Sequence, residues 1–204
     1  MTRIDALSHQ PDLSGRFKVA FSDGTAMRLY KQTIQDFGLY TGAELTDEQY
    51  AALLKAASEM SAKMRAVRIV SASSVSKKDL QRRLIHKGED AESAKQAVSW
   101  MEEMNLLDDR KTAEQIVSKC ISKGYGVSRA KQMLYEKRIP KAYWQEVLAD
   151  YPDQSDAIRD YLNSHLPQEP DAKAVKKAVD ALLRRGHSYS VIRRVMDLGD
   201  MLEE

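Results

Sequence analysis

Apolar and polar residues alternate with a period of two only near the start of the chain. Residues 16–21 alternate in this way, Ser22-Asp23-Gly24 marks a turn, and the alternation returns over residues 25–30. Asp-Gly between two such runs is a strong hairpin signal. Residues 3–8 can add a third strand, and a sheet this small needs a helix to pack against. The pattern predicts a small N-terminal β-hairpin or three-stranded sheet.

Beyond residue 30 the apolar positions follow a helical period. Residues 31–37 predict a short helix that ends at Gly38, and residues 39–45 cross to the next element. Thr46 and Gln49 then form a capping box, which marks a helix start. Apolar residues continue this helix at helical spacing: Tyr50, Leu53, Leu54, Ala57, Met60, Met64 and Val67. We expect one long helix, or two joined near Ser61, with no strand after it.

Residues 76–100 contain a unit that recurs twice downstream. It consists of a basic amphipathic helix, a tight stop and a second helix that begins almost at once. The copies align on three leucines, 50 and 48 residues apart: Leu84, Leu134 and Leu182. Their cationic stops align as well: Lys87-Gly88, Lys137-Arg138 and Arg185-Gly186. Recurrence at a period of this size is typical of helical repeat arrays.

A further helix precedes each copy, so the predicted unit is three helices in about fifty residues. The predicted fold is mainly α, with three tandem three-helix repeats forming an elongated curved array after the small N-terminal β-hairpin or three-stranded sheet. The predicted boundaries are 1–58 for the N-terminal part, then 59–107, 108–152 and 153–204 for the repeats. In the second repeat, Asp108 and Asp109 should cap the first helix and Pro140 should begin the last.

Composition limits the class of protein without changing this architecture. The chain has 204 residues, of which 43% are hydrophobic, enough for a buried core. Its single cysteine, Cys120, excludes an internal disulfide and fits a reducing compartment. No segment is apolar over the length of a membrane span, and the N-terminus lacks the apolar core of a signal peptide. We therefore expect a cytoplasmic protein without membrane contact.

Residues that could perform catalysis or bind a cofactor are few. The histidines are scattered and do not pair at metal-ligand spacing: His9, His86, His165 and His187. Cys120 falls on an apolar helix face, which is typical of a buried structural thiol. Gly124-Tyr125-Gly126 follows no strand, so it predicts a linker rather than a nucleotide-binding loop. The chain is expected not to be an enzyme and to have no catalytic, cofactor-binding or metal-binding residues.

Positive charge is concentrated in the middle of the chain. Residues 61–150 carry a net charge of +6, whereas residues 1–60 and 151–204 carry −2 each. The predicted partner-binding residues form a basic stripe over the three copies: Lys78, Arg82, Arg83, Lys87, Arg129, Lys131, Lys137, Arg138, Arg184 and Arg185. Such a stripe could meet nucleic-acid phosphates or the acidic groove of a protein filament. The alternative is that these long side chains only cover helix surfaces.

The order and spacing of these motifs match the pattern of a known family. Residues 78–88 are similar to its Ser-x-x-Glu-Leu-x-x-Lys-Leu-x-x-Lys-Gly helix, and Leu107-Asp108-Asp109 to its Leu-Asp-Asp. Residues 126–137 and 182–195 are similar to its second and third repeats. Over about residues 60–198 the chain therefore resembles the RecX family of bacterial RecA modulators.

The chain departs from this family pattern at three helix stops. Glu89 stands where an apolar residue usually follows Lys-Gly, and His187 replaces an aromatic residue. Arg138 replaces the glycine of the second stop, so it must either adopt a left-handed conformation or end its helix differently. The repeat period is unaffected by these substitutions.

The resemblance implies a non-enzymatic regulator that binds RecA. Such a protein would lie in the groove of the RecA–DNA filament and curb its ATPase activity and strand exchange. From the resemblance we expect a monomer without a cofactor, with at most weak, non-specific binding to DNA. The alternative is a direct DNA-binding regulator of the helix-turn-helix type, because a three-helix unit with a basic second helix also resembles that class.

Overall fold

The computed structural model describes residues 1–196, so the end of the third predicted repeat lies outside the described residues. The chain is mainly α-helical with a small antiparallel sheet at its N-terminus. It divides into two compact units, Met1–Leu107 and Asp108–Glu204. No helix in the described part is long and apolar enough to span a membrane.

The N-terminal sheet has four antiparallel strands in the order β3-β2-β1-β4. Their bounds are Thr2–Leu7 for β1, Arg16–Phe21 for β2, Ala26–Tyr30 for β3 and Glu44–Leu45 for β4. The predicted hairpin and third strand are confirmed. The two-residue strand β4 was not predicted, because it has no alternating pattern of its own. This short segment is a strand only because it pairs with β1.

The helix α1 spans Lys31–Asp36, and α2 is one continuous helix over Asp47–Ala72. The predicted capping box is confirmed, because the Gln49 amide donates to Thr46 Oγ1 at 3.1 Å and the Thr46 amide donates to Gln49 Oε1 at 2.9 Å. Leu53 packs in the sheet's core, whereas Ala62 and Ala66 belong to the next core. One helix therefore contributes to two cores.

The first unit is completed by α3, Lys77–His86, and α4, Ala91–Glu103. Ser76 Oγ accepts from the Asp79 amide at the start of α3, and Asp90 caps α4 in the same way. The two helices bury an apolar face against the second half of α2: Leu80, Leu84, Ala94, Ala97 and Met101. This packing orients the opposite, cationic side of α3 toward solvent.

The second unit contains six helices and two buried clusters within its described residues. Their bounds are Asp109–Ser122 for α5, Val127–Glu136 for α6, Trp144–Leu148 for α7, Ser155–His165 for α8, Ala172–Arg184 for α9 and Tyr189–Met196 for α10. Asp108 caps α5, and Asp109 is its first helical residue rather than a second cap. The helix predicted from Pro140 is only a 3-10 turn, Lys141–Tyr143, followed by the short α7. The expectation of a full third helix here is therefore wrong.

The ends of α3, α6 and α9 share one hydrogen-bond pattern. The residue after the stop donates its amide to the aligned leucine carbonyl: Glu89 to Leu84, Ile139 to Leu134 and His187 to Leu182, at 3.0–3.2 Å. The residue before each of these has a positive φ: 92° at Gly88, 57° at Arg138 and 88° at Gly186. This is the Schellman arrangement of a helix C-terminus. Arg138 thus takes the left-handed conformation, the first of the two alternatives.

The start of α6 packs closely on the turn between α9 and α10. The Gly126 amide donates to the Arg185 carbonyl at 3.0 Å, and the Ser128 amide donates to the Gly186 carbonyl at 3.3 Å. A Cβ on Gly126 would lie 2.0 Å from the Gly186 oxygen. Only glycine permits this approach, so Gly126 and Gly186 fix where the two helix groups of this unit meet.

Candidate partner-binding surface

The described part of the chain contains no cluster of side chains that could bind a metal ion. No group of three or more His, Cys, Asp or Glu residues there could bind an ion. Cys120 is buried, and this burial raises the pKa of its thiol, which disfavours the nucleophilic thiolate. The expectation that Cys120 is a buried thiol is confirmed.

In α3 two of the predicted stripe residues hold a buried carboxylate. Asp79 is only 2% exposed, and its oxygens lie 3.2 Å from Arg82 Nη2 and 2.9 Å from Arg83 Nη2. Arg83 also donates to Ser73 Oγ at 3.4 Å. Because a buried charge is costly without partners, these arginines stabilise the fold as well as facing solvent. Arg82 and Arg83 are therefore already paired, although the sequence predicted them only as partner-binding residues.

Three stripe residues of the second unit are also engaged. Arg129 Nη1 lies 3.7 Å from Glu136 Oε1, and the Arg185 guanidinium lies 4.6 Å from the centre of the Tyr161 ring. Lys137, too, has an interaction within the protein. A guanidinium stacked on an aromatic ring keeps its charge but loses mobility, so Arg185 is a positioned cation.

The remaining five stripe residues have exposed side chains. Within residues 1–196, none of these charged groups forms an ion pair or hydrogen bond: Lys78, Lys87, Lys131, Arg138 and Arg184. An incoming anion would not have to displace an internal partner at these positions. These five residues are called the open cations below.

A surface groove in the second unit brings together stripe residues from two helices. Arg129 from α6 and Arg184 and Arg185 from the end of α9 line it, together with Tyr125 and Leu183. These cations lie near one another because the start of α6, which carries Arg129, is hydrogen-bonded to the α9–α10 turn, which follows Arg184. The groove combines guanidinium groups with apolar surface, a composition common at protein interfaces.

An exposed apolar residue accompanies the cations at each helix stop. Ile85, Tyr135 and Leu183 are 45%, 72% and 42% exposed. Each directly follows one of the three aligned leucines, which are fully buried. The pattern of cations did not predict these apolar residues, although their recurrence follows from the alignment of the three leucines.

Glu89 and His187, which depart from the family pattern, are both buried, and the side chain of each has a hydrogen-bond partner. Glu89 Oε1 accepts from Arg65 Nε at 2.5 Å and from Ser61 Oγ at 3.1 Å. His187 Nε2 lies 3.0 Å from the Gly124 carbonyl oxygen, and burial lowers the pKa of its imidazole. A neutral His187 that donates this hydrogen bond therefore links the α9–α10 turn to the end of α5.

Comparison with known proteins identifies relatives along nearly the whole chain. The chain is 30% identical over 137 residues to a regulatory protein RecX of Chlorobaculum tepidum, a match that covers 65% of this chain and 84% of the relative. A regulatory protein RecX of Clostridioides difficile is 23% identical, with 97% of this chain and 94% of the relative covered. No family model matches the chain.

Two solved structures share the fold. A crystal structure of regulatory protein RecX superimposes with a TM-score of 0.65 at 20% identity and covers 97% of this chain and 100% of the other. The crystal structure of RecX from Lactobacillus salivarius gives a TM-score of 0.56 at 17% identity, with coverages of 70% and 96%. The fold of this chain is therefore shared with solved RecX proteins, and the sequence relatives have the same name.

Proposed function

This chain belongs to the RecX family of regulatory proteins, and from that premise we propose that it is a non-enzymatic regulator that binds RecA and the RecA–DNA filament. Binding would inhibit the ATPase and recombination activities of RecA, as the family resemblance implies. The protein would act in the cytoplasm, as a monomer and without a cofactor. Any contact with DNA would be weak and independent of sequence.

The observation that carries this proposal is the recurrence of one surface at three helix stops. At each stop, an exposed apolar residue lies among lysines and arginines: Ile85, Tyr135 and Leu183. Apolar residues surrounded by charged ones are typical of the centre and rim of protein interfaces. A surface that recurs along one chain suits a partner whose own surface recurs, as the subunits of a filament do.

The helix packing supports a binding role for this surface. The aligned leucines Leu84, Leu134 and Leu182 are fully buried, so each basic helix is held rigidly by its apolar face. The exposed side chains beside them need little ordering when a partner binds, which limits the entropic cost of association. We propose that each of the three helix groups contributes its own exposed face to partner binding.

Direct, sequence-specific recognition of DNA is the alternative function. A helix-turn-helix reader inserts the exposed face of its second helix into the major groove. Both arginines of α3, Arg82 and Arg83, are paired with Asp79, which leaves fewer donors for base edges. This pairing favours the protein-binding proposal over base readout.

The proposed function can be tested with the purified chain and its cognate RecA. We expect the chain to lower the DNA-dependent ATPase rate of RecA and to shorten the lifetime of RecA filaments on single-stranded DNA. Excess competitor duplex added to the same assay would reveal inhibition that acts only through DNA binding. An unchanged ATPase rate together with an unchanged filament lifetime would refute the proposal.

A further inference from the structure

A second basic groove, which the sequence stripe does not describe, lies in the first unit. Five cations from three parts of the fold line it: Arg16 of β2, Arg65 and Arg68 of α2, Arg83 of α3 and Lys87 at its C-terminus. The other lining residues are Ser14, Ile69, Ala72 and Ser73, so no carboxylate is exposed in its wall. Only Arg83 and Lys87 belong to the predicted stripe.

Three of these cations are fixed by carboxylates outside the lining. Arg16 Nη2 lies 2.9 Å from Asp12 Oδ2, Arg65 Nε lies 2.5 Å from Glu89 Oε1, and Arg83 Nη2 lies 2.9 Å from Asp79 Oδ2. A guanidinium has five N–H donors, so one carboxylate does not exhaust its capacity. The ion pairs therefore orient these arginines and leave donors for another anion.

The other two cations have no carboxylate partner within residues 1–196. Among the residues that the structure describes, Arg68 Nη2 donates to the Tyr30 hydroxyl alone, at 3.3 Å, and the exposed Lys87 ammonium has no partner. Five cations and three carboxylates thus leave two positive charges on one groove. Cations that converge in this way repel one another, and a bound anion would relieve the repulsion.

The lining favours carboxylates of a protein over a nucleic-acid strand. None of the described residues that line the groove is aromatic, so they offer no ring on which a base could stack, unlike single-strand binding sites. The five lining cations exceed their three carboxylate partners by two positive charges, which matches a local pair of negative charges better than a continuous polyanion. A short acidic segment places its charge locally, and its methylene groups can pack on Ile69 and Ala72.

We propose that this groove binds an acidic segment of a protein partner, with two carboxylates paired to Arg68 and Lys87. The bound carboxylates would also accept hydrogen bonds from the arginines that the internal ion pairs hold in place. This inference deepens the proposed function and rests on it only for the identity of the partner. The chemistry of the groove can be tested without RecA.

The experiment measures binding of the full chain to a capped peptide in which two glutamates and two alanines alternate (Glu-Glu-Ala-Ala repeats). Arg68→Gln combined with Lys87→Gln should weaken peptide binding about tenfold, because two charge-assisted hydrogen-bonding partners are lost. The matched control is Lys95→Gln with Lys119→Gln, which removes the same charge at exposed sites elsewhere. Binding should weaken as salt is added, and the NMR signals of the Ile69 and Ala72 methyl groups should shift on titration.

Three outcomes would overturn the inference. The first is no binding of the peptide to the wild-type chain at low salt, and the second is equal binding by the groove variant and the control. In a parallel arm, oligothymidine of equal charge replaces the peptide. If only oligothymidine binding depended on Arg68 and Lys87, the groove would be a phosphate site. A chain that binds the peptide through this groove but does not affect RecA would refute the proposed function alone.

Discussion

At the end of α6, Arg138 occupies a position that α3 and α9 give to glycine. Its φ of 57° is close to the conformation expected of a left-handed stop residue, and its side chain is exposed. A side chain with a Cβ is strained there because the Cβ approaches the following carbonyl group. The chain keeps a cation at this position at a cost in stability, which fits a role for Arg138 in binding.

We predict that Arg138→Gly stabilises the fold while weakening partner binding. The free energy of unfolding should rise by about 1 kcal/mol, because glycine relieves the left-handed strain. Urea denaturation of the full chain measures this change. Arg138→Ala is the matched control, since it removes the charge but keeps the Cβ and should not gain stability. If the glycine and alanine variants were equally stable, the left-handed conformation of Arg138 would not be strained.

Individual pairings could not be predicted from the sequence, and the conformation of the second stop was left open between two alternatives. The left-handed conformation of Arg138 was one of two alternatives that alignment with Gly88 and Gly186 left open. Glu89 was identified only as a departure from an apolar position. Its partner Arg65 comes from another helix, 24 residues away, and no local pattern relates the two. The same holds for Arg68 and Arg16, which meet in a groove only through folding.

At the level of elements, the contact between the start of α6 and the α9–α10 turn organises the second unit. Gly126 has a φ of −73°, which any residue can adopt, so its need for glycine is purely steric. An added Cβ would meet the Gly186 oxygen at 2.0 Å and the His187 nitrogen at 2.5 Å. The close approach holds the cations of α6 and α9 along one groove.

We predict that Gly126→Ala separates these elements. The free energy of unfolding should fall by about 2 kcal/mol because the added methyl group overpacks the contact. Hydrogen exchange of the Ser128 amide, which donates to the Gly186 carbonyl, should accelerate. Gly88→Ala is the control: it adds a methyl group in open space at a positive φ and should leave Ser128 protected. Unchanged Ser128 protection in Gly126→Ala would show that the turn can yield.

The elements with strong local signals were predictable, and the weak ones were not. The Asp23-Gly24 hairpin and the helix start at Thr46 follow from turn and capping chemistry, which acts over a few residues. Strand β4 has only two residues and exists through pairing with β1. The segment after Pro140 had a suitable first residue for a helix, yet it forms only a 3-10 turn and the five-residue α7. There, Trp144 Nε1 donates to the Ile139 carbonyl at 3.1 Å.

At the scale of the whole molecule, both units carry cations beside exposed apolar residues. The first unit has Lys78 and Lys87 near Ile85, and the second has Lys131, Arg138 and Arg184 near Tyr135 and Leu183. The family resemblance suggested the kind of partner, and the structure separates the open cations from those already paired. Charge reversal of Arg82 and Arg83 would leave Asp79 buried and unpaired, so only the open cations suit a test of binding.

Co-sedimentation of the chain with RecA filaments on single-stranded DNA in the presence of ATP tests the central proposal most directly. The wild-type chain should sediment with the filaments, and a variant with glutamine at all five open cations should remain largely in the supernatant. The control variant carries glutamine at five other exposed lysines: Lys18, Lys95, Lys111, Lys119 and Lys176. It should sediment like the wild-type chain, although its net charge changes equally. If the open-cation variant sedimented as well as the control, these residues would be only a solvated surface; if the wild-type chain did not sediment, the proposed partner would be wrong.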